Sequence, residues 1–289
     1  MKNKLMLNKT CLITGATSGI GRKIAFDLAI KGANVGIIAR NPGKAENTRK
    51  SIIRSTGNSN IEIFIADFAS LDQVKDAAEK INSRFSKIDV LVNNAGIILS
   101  DKREISKEGY ELTLTINHLS PFLLTASLFE KLKKSVEARI INTSSVAHTL
   151  AKFNLEDIHL KKGYSSFIAY SNSKLYNLML TIELAKRLTN FPGVTTNAYH
   201  PGIVSSNFGQ NSGGLLGFFY KAVNPFLADE KKGAETGIYL ASDPEAIRYK
   251  GKYFVKKRVV TPHLKHISNE NCRKLWELSE KLTGVNFLN

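Results

Sequence analysis

Tyr170 and Lys174 lie four positions apart in AYSNSKLYN, residues 169–177, and could form an acid–base pair. Apolar residues at helical spacing from 168 to 188 predict a helix, on which positions four apart share one face. A lysine ammonium beside a phenol favours the phenolate and lowers the pKa of the tyrosine, which suits proton transfer. The same spacing recurs at Tyr253 and Lys257, but in a predicted strand, where four residues span roughly 13 Å. We therefore expect chemistry from the first pair only.

Gly15, Gly19 and Gly21 stand in TGATSGIG, residues 14–21, where the first predicted strand turns into a helix. Glycine permits a sharp turn and lets the backbone approach a pyrophosphate, whose charge the N-terminus of a helix favours. A bare Gly-x-x-x-Gly is weak evidence, because it recurs at 209–213 and 233–237. Its place directly after the first strand favours a dinucleotide site over a tight turn without a ligand.

Arg40 follows Ala39 at the end of the second predicted strand, in GIIARN. Sites that prefer NAD usually carry an acid here, which holds the ribose hydroxyls. An arginine fork instead suits a 2′-phosphate. We therefore expect NADP(H) to be favoured over NAD(H); the alternative is that Arg40 only opens a loop.

The elements that must position these residues alternate along the chain. The predicted strands are 10–14, 34–38, 61–65, 90–93, 139–142, 194–199 and 251–255. The predicted helices are about 19–31, 42–56, 71–85, 107–134, 167–189, 230–242 and 269–282. This order predicts one α/β domain over residues 1–289, a Rossmann fold whose doubly wound, seven-stranded parallel sheet has helices on both faces. Ligands of such sheets bind at the carboxyl ends of the strands.

The composition is strongly basic, with 41 Lys and Arg against 25 Asp and Glu and a formal net charge of +16 over 289 residues. Seven basic residues and no acidic one fall between 248 and 265. We favour a solvated surface that also attracts a phosphorylated cofactor, since no nucleic-acid motif accompanies the charge. Peripheral contact with an anionic membrane stays open as an alternative.

Two further patterns concern metals and compartment. Cys11 and Cys272 form no metal or redox motif, and we expect no metal site. The opening residues 1–10 carry too short an apolar run for a signal peptide or an anchor, and polar residues and proline interrupt the uncharged stretch 112–129. We interpret that stretch as a buried helix and expect a cytoplasmic protein.

Six motifs in order make the chain resemble the short-chain dehydrogenase/reductase family over nearly its whole length. They are TGATSGIG (14–21), NNAG (93–96), Asn117 in TINHLSPFLLT, Ser145 in RIINTSSV, the Tyr170–Lys174 pair and HPGIVSS (200–206). The stretches INHLSPFLLT, SSVAH, NLEDIH, AYSNSKLYN and KLWELSEKLTG are most similar to the retinol dehydrogenase branch. One departure is Ser120, where relatives usually carry glycine.

The resemblance implies hydride transfer between NADP(H) and a carbonyl compound or its alcohol, with four catalytic residues. Tyr170 is then the acid and base, Ser145 (with Ser144 as the alternative) binds the substrate oxygen, Lys174 holds the nicotinamide ribose, and Asn117 positions a water. The implied cofactor-binding residues are Gly15, Thr17, Ser18, Gly19, Ile20, Gly21, Arg40, Asn41, Asp67, Phe68, Asn94, Ala95, Gly96, Tyr170, Lys174, Pro201, Gly202, Val204 and Ser206. For Asp67, a helix-capping role is the alternative, and His118 and His200 are expected in the core or behind the site.

The resemblance also places a substrate lid at about 205–230 and a C-terminal extension at about 245–289. The segment 212–227 is apolar with one charge, so we expect a lipophilic aldehyde or ketone, similar to retinal, as substrate. The alternative is a patch that faces a partner subunit or a membrane. Association through the helices at 107–134 and 167–189 would give a homodimer, and the extension would favour a monomer. A catalytically weak cofactor-binding scaffold or regulatory protein needs none of the four catalytic residues, so we favour an enzyme.

Overall fold

The computed structural model describes residues 5–202 and 230–288, in which eight strands form one sheet. The strands are β1 (Thr10–Thr14), β2 (Asn34–Ala39), β3 (Ile61–Ile65), β4 (Val90–Asn93), β5 (Ala138–Thr143), β6 (Val194–His200), β7 (Lys252–Val255) and β8 (Arg258–Val260). Their spatial order is β3-β2-β1-β4-β5-β6-β7-β8, and every neighbouring pair except β7 and β8 is parallel. The predicted doubly wound α/β domain is confirmed.

Helices cover both faces of this sheet. They are α1 (Gly19–Ile30), α2 (Pro42–Thr56), α3 (Leu71–Arg84), α4 (Leu112–Leu132), α5 (Ser166–Arg187), α6 (Glu230–Ser242) and α7 (Asn269–Thr283). Helices α1, α2 and α6 bury one core, which contains Ile24, Ile52 and Leu240. Helices α3, α4, α5 and α7 bury the other, which is larger and is centred on Phe122 and Trp276.

The eighth strand corrects the prediction of a purely parallel, seven-stranded sheet. A two-residue turn joins β7 to β8, and its residues Lys256 and Lys257 have φ of 49° and 63°. Positive φ at both central residues matches the right-handed twist of a hairpin, but Asn and Gly usually occupy such turns. Because lysines stand in the place of Asn and Gly, the sequence did not predict this hairpin. The prediction that Tyr253 and Lys257 share a strand is wrong for Lys257, which lies in this turn with its Nζ 3.6 Å from the Glu235 carboxylate.

Helix α4 differs from its prediction at its start and in its winding. The helix was expected from about 107, but Ile105 and Glu111 first form a β-bridge. The Glu111 carboxylate then accepts hydrogen bonds from the backbone N–H groups of Thr113 and Leu114, which caps the helix at its N-terminus. A π-helical stretch, Thr115–Leu119, interrupts α4. By length and composition α4 could cross a membrane, but 78% of its most apolar window is buried inside the protein.

The sheet has its topological switch point between β1 and β4. The chain runs from β1 outward to β2 and β3, then returns to β4 on the other side of β1. The helices that follow β1 and β4 therefore leave the sheet on opposite faces and open a crevice at the carboxyl ends of the strands. Thr14 at the end of β1 and Asn93 at the end of β4 lie at this edge.

Candidate active site

The glycine turn after β1 is built for a close approach of backbone. Gly15 and Gly19 have φ of +67° and +55°, a region that side-chain-bearing residues rarely adopt. A Cβ atom on Gly15 would lie 2.9 Å from the Cα atom of Ala95, and one on Gly21 would lie 2.5 Å from the Gly15 carbonyl oxygen. The N-cap residue of α1, Ser18, makes no side-chain capping hydrogen bond, so the first amides of the helix can bind an anion.

Thr14 joins this turn to the loop after β4. Its hydroxyl accepts hydrogen bonds from the backbone N–H groups of Asn94 (2.9 Å) and Ala95 (2.8 Å), and its carbonyl accepts one from the Asn94 side chain (3.0 Å). Thr14 is fully buried. The two predicted cofactor loops therefore form one rigid unit. Thr14 opens the motif TGATSGIG, but no role was predicted for it, because the loop that it binds is eighty residues away.

The predicted adenosine side of the site follows β2 and β3. Arg40 is exposed directly after β2, and Asn41 caps α2 by accepting a hydrogen bond from the Lys44 backbone N–H (2.8 Å). Asp67 accepts one from the Ala69 N–H (3.0 Å), a local turn that uses one of its two carboxylate oxygens. Phe68 is buried. Of the other residues predicted here, Thr17, Ser18 and Ile20 are accessible at the start of α1.

Ser120 explains the departure from the usual glycine. Its hydroxyl is fully buried and donates a hydrogen bond to the Phe68 carbonyl at 2.7 Å. This bond satisfies a polar group that burial would otherwise penalise. It also ties α4 to the loop after β3, so the serine has a packing role.

The π-helical stretch of α4 aims Asn117 into the crevice. The Asn117 side chain accepts a hydrogen bond from the Ile97 N–H (2.8 Å) and donates one to the Ile97 carbonyl (2.9 Å), so it mimics a neighbouring strand. It also donates to the Ser173 hydroxyl at 3.0 Å. A Cβ atom on Gly96 would lie 3.2 Å from Lys174 Nζ and 3.5 Å from Asn117 Oδ1. Asn117, Gly96 and Lys174 thus meet at one point. Short π-helical segments are frequent at functional sites.

Tyr170 and Lys174 share one face of α5, as their spacing predicts. Lys174 Nζ lies 5.4 Å from the centre of the Tyr170 ring and donates a hydrogen bond to the Thr143 carbonyl at 3.2 Å. Lys174 is 3% exposed, and burial lowers the pKa of its ammonium to about 8. No carboxylate is paired with it in the part of the chain that the structure describes. A buried cation beside a half-buried phenol is suited to favour the phenolate.

The two serines after β5 have different surroundings. Ser144 is 1% exposed, and its hydroxyl donates a hydrogen bond to the Lys174 carbonyl at 2.8 Å. Ser145 is half-buried, and among residues 5–202 and 230–288 its hydroxyl makes one hydrogen bond, which it accepts from the Ala147 N–H at 3.2 Å at the start of a short 3₁₀ turn, Val146–Leu150. The Ser145 hydroxyl hydrogen is therefore available to a ligand, which favours Ser145 over Ser144.

Two histidines that flank predicted site residues, His118 and His200, are buried and half-buried. His118 is 1% exposed, contacts the Ser279 hydroxyl at 2.9 Å, and burial lowers its pKa to about 4. His200 ends β6, where its Nδ1 accepts a 3.3 Å hydrogen bond from the Gly202 N–H. Burial, and then the neighbouring His148, lower the pKa of His200. Pro201 and Gly202 are half-buried at this edge.

Two of the predicted cofactor residues, Val204 and Ser206, lie outside the described residues, as does the predicted lid at about 205–230 except for Glu230. Among residues 5–202 and 230–288, no group of three His, Cys, Asp or Glu side chains is arranged to hold a metal ion. The described residues fit a nucleotide cofactor, because the glycine turn offers free amides to phosphate and buried Lys174 offers a cation to a ribose.

The chain is similar to known proteins over most of its length. The model of the short chain dehydrogenase family matches residues 9–213. Retinol dehydrogenase 12 of Homo sapiens is 36% identical over 285 residues, which cover 98% of this chain and 89% of the human protein. A Streptomyces sp. (strain C5) protein, provisionally named a daunorubicin C-13 ketoreductase, is 36% identical over 277 residues, which cover 96% of this chain and 93% of the Streptomyces protein.

Solved structures share the fold. The crystal structure of an uncharacterised protein from Mycobacterium paratuberculosis has a TM-score of 0.75 at 30% identity and covers 97% of this chain and 95% of that one. A short chain dehydrogenase from Shigella flexneri, solved in complex with NADP, has a TM-score of 0.68 at 23% identity, with 89% of this chain and 100% of that one covered.

Proposed function

The chain belongs to the short-chain dehydrogenase family and is an oxidoreductase acting on CH–OH groups, and we propose that it interconverts a lipophilic carbonyl compound and its alcohol with NADP(H). One observation carries the proposal. A buried lysine without a carboxylate partner among the described residues lies 5.4 Å from the Tyr170 ring, next to Asn117 and Gly96. Burying an unpaired cation costs stability, and an acid–base role for Tyr170 gives a reason for it.

In the proposed mechanism the four side chains have different tasks. NADP(H), when bound, supplies or accepts the hydride. Tyr170 donates its proton to the substrate oxygen during reduction and takes it back during oxidation. Ser145 donates a hydrogen bond to the same oxygen and stabilises the negative charge that develops there. Lys174 would bind the nicotinamide ribose and lower the pKa of Tyr170, and Asn117 would hold the water through which Lys174 exchanges protons with solvent.

A preference for NADP(H) over NAD(H) is supported by the end of β2. Ala39 stands where an acid would bind ribose hydroxyls, and the exposed guanidinium of Arg40 follows it. An arginine can form a bidentate contact with a 2′-phosphate, whereas an acid would repel it. The Asn41 side chain is already used as a helix cap, which leaves Arg40 as the group that decides the preference.

The substrate class is supported by the names of relatives and by sequence. Relatives are named retinol dehydrogenases and a daunorubicin C-13 ketoreductase, so their names denote an alcohol and a ketone as substrates. The segment 212–227 of this chain is apolar with one charge. Apolar surface binds apolar ligands, so we propose a long-chain or polycyclic aldehyde or ketone.

A monomer in the cytoplasm is the proposed state. Helix α7 covers the outer faces of α4 and α5, where Trp276 packs edge-on against Phe122 at 5.0 Å and the Arg187 guanidinium lies 4.7 Å from the Trp276 ring. Helix α7 therefore covers part of the surface of the two helices through which we expect a homodimer to associate, and this supports a monomer. Sedimentation of the purified protein at the mass of one chain, 32.0 kDa, would support the monomer.

The test follows oxidation of NADPH and of NADH separately, with retinal, medium-chain aldehydes and aromatic ketones as substrates. Tyr170→Phe should abolish turnover. Tyr249→Phe is the matched control. The Tyr249 hydroxyl contacts Arg248 just before β7, at the amino ends of the strands and away from the active site at their carboxyl ends. Arg40→Ala should raise the KM for NADPH and leave that for NADH unchanged. Equal turnover by Tyr170→Phe and wild type would refute the mechanism, and binding of NADPH without turnover of any carbonyl would favour a scaffold.

A further inference from the structure

His148 holds the backbone of Ser145 with two hydrogen bonds. The Ser145 carbonyl accepts from the His148 backbone N–H at 3.2 Å and contacts the ring nitrogen Nδ1 at 2.6 Å. A carbonyl oxygen can only accept, so Nδ1 carries the proton of this bond. The Ser145 hydroxyl also accepts a hydrogen bond from the Ala147 N–H. Both the backbone carbonyl and the side chain of Ser145 are therefore bonded to the first turn of Val146–Leu150.

The imidazole ring itself is held in place by burial and packing. His148 is 4% exposed, and its ring meets the ring of Tyr253 edge-on, with 5.3 Å between the centres. Burial lowers the pKa of His148, and the bond to Ser145 opposes that change. The ring is therefore neutral near pH 7, with its proton on Nδ1 and its orientation fixed.

Packing alone does not account for a histidine here. The second ring nitrogen, Nε2, is buried and has no hydrogen-bond partner within residues 5–202 and 230–288. An unsatisfied buried acceptor costs stability, and a leucine or phenylalanine would fill the same space without that cost. The interaction that an apolar residue could not supply is the Nδ1 hydrogen bond to Ser145.

We propose that His148 is a positioning residue, which fixes the Ser145 hydroxyl in the orientation that binds the substrate oxygen. The proposal rests on the proposed function of Ser145. It assigns His148 no proton transfer and no contact with the substrate. His148 acts through Ser145, so its effect must vanish when the Ser145 hydroxyl is absent.

The test is a double-mutant cycle on the full chain with the best carbonyl substrate. His148→Leu should lower kcat about 10-fold or more while the KM for NADPH stays within 2-fold of wild type. His148→Asn, whose amide N–H can take the place of Nδ1–H, should recover most of kcat, and His148→Gln, whose amide reaches the position of Nε2, should not. In a Ser145→Ala background, His148→Leu should cost less than 2-fold. NADPH fluorescence titration counts the folded sites in every variant.

A purely structural histidine gives a different pattern. It would lower the folded fraction, leave kcat per NADPH-binding site unchanged, or cost the same factor with and without Ser145. Any of these results overturns the proposal. Should the wild type reduce no carbonyl, the proposed function has failed, and ¹⁵N NMR of the histidine rings then decides the structural part. A His148 ring protonated on Nδ1 supports the bond to Ser145, and one protonated on Nε2 overturns it.

Discussion

Replacing Lys174 with methionine should abolish activity and yet stabilise the cofactor-free protein. Burial lowers the pKa of Lys174 from an ordinary 10.5 to about 8, so the native state holds this charge at a cost at pH 7. At about 1.4 kcal/mol per pKa unit, that cost has an upper limit of about 3 kcal/mol. Methionine matches the length of the lysine stem. The Thr143 carbonyl keeps a hydrogen bond from the Asn177 side chain at 3.3 Å, so no acceptor is left unpaired.

The assay is urea unfolding of both proteins without cofactor at pH 7 and pH 9.5. We expect Lys174→Met to be more stable by about 1–3 kcal/mol at pH 7. Above pH 8 the native lysine loses its proton while the unfolded one keeps it up to about pH 10.5, so wild-type stability rises with pH. The difference in unfolding free energy between Lys174→Met and wild type should therefore be smaller at pH 9.5 than at pH 7, by up to about 2 kcal/mol.

The control is Lys257→Met, which removes the lysine of the second Tyr-x-x-x-Lys pair. Lys257 is exposed and pairs with Glu235, and exposed ion pairs contribute about 0–1 kcal/mol. Its substitution should change stability by no more than that and equally at both pH values. A Lys174→Met protein that is less stable than wild type at pH 7, or a difference that does not depend on pH, would show that the buried charge is not a cost.

Two other predictions concern the serines and the hairpin. Ser145→Ala should lower kcat by about 100-fold or more. Ser144→Ala should keep kcat within about 3-fold and lose about 1 kcal/mol of stability, because it removes the hydrogen bond from Ser144 to α5. Steady-state kinetics and urea unfolding measure these effects, and equal losses of kcat in the two variants would contradict the assignment of Ser145. Replacing Lys256 and Lys257 together by Asn-Gly should stabilise the protein by about 1 kcal/mol, since both lysines have positive φ. An unchanged unfolding midpoint would mean that the turn is not strained.

The order of elements could be predicted from sequence because each element carries its own local signals. Strands β1, β3 and β4 begin and end at the predicted residues, since buried strands appear as short β-branched runs. Helix α2 also matches, from Pro42 after the Asn41 cap to Thr56 before Gly57, whose φ is +73°. Proline at the first position of a helix is a local start signal, and glycine just past its end is a local stop signal.

The features that sequence did not predict depend on contacts between distant residues. The hairpin to β8 places two lysines at positive φ, against their local preference. The π-helical stretch is stabilised where Asn117 bonds the backbone of Ile97, twenty residues away. Thr14 looks like any strand threonine until the loop after β4 folds onto it. The pairing of Tyr170 with Lys174 follows from helical spacing, but only the family resemblance adds Asn117 to them.

The π-helical stretch Thr115–Leu119 also predicts how this segment responds to insertions and deletions. A π turn contains an extra residue relative to an α turn, so deleting one residue from the stretch could leave an ordinary α-helix. Each residue of an α-helix advances about 100° around the axis, and the shift would rotate Asn117 away from Ile97. A chain shortened by one residue could thus retain the sequence Thr-Ile-Asn while the asparagine side chain no longer points into the crevice. We therefore expect the deletion of one residue from this stretch to lower activity more than an apolar substitution at Ile116.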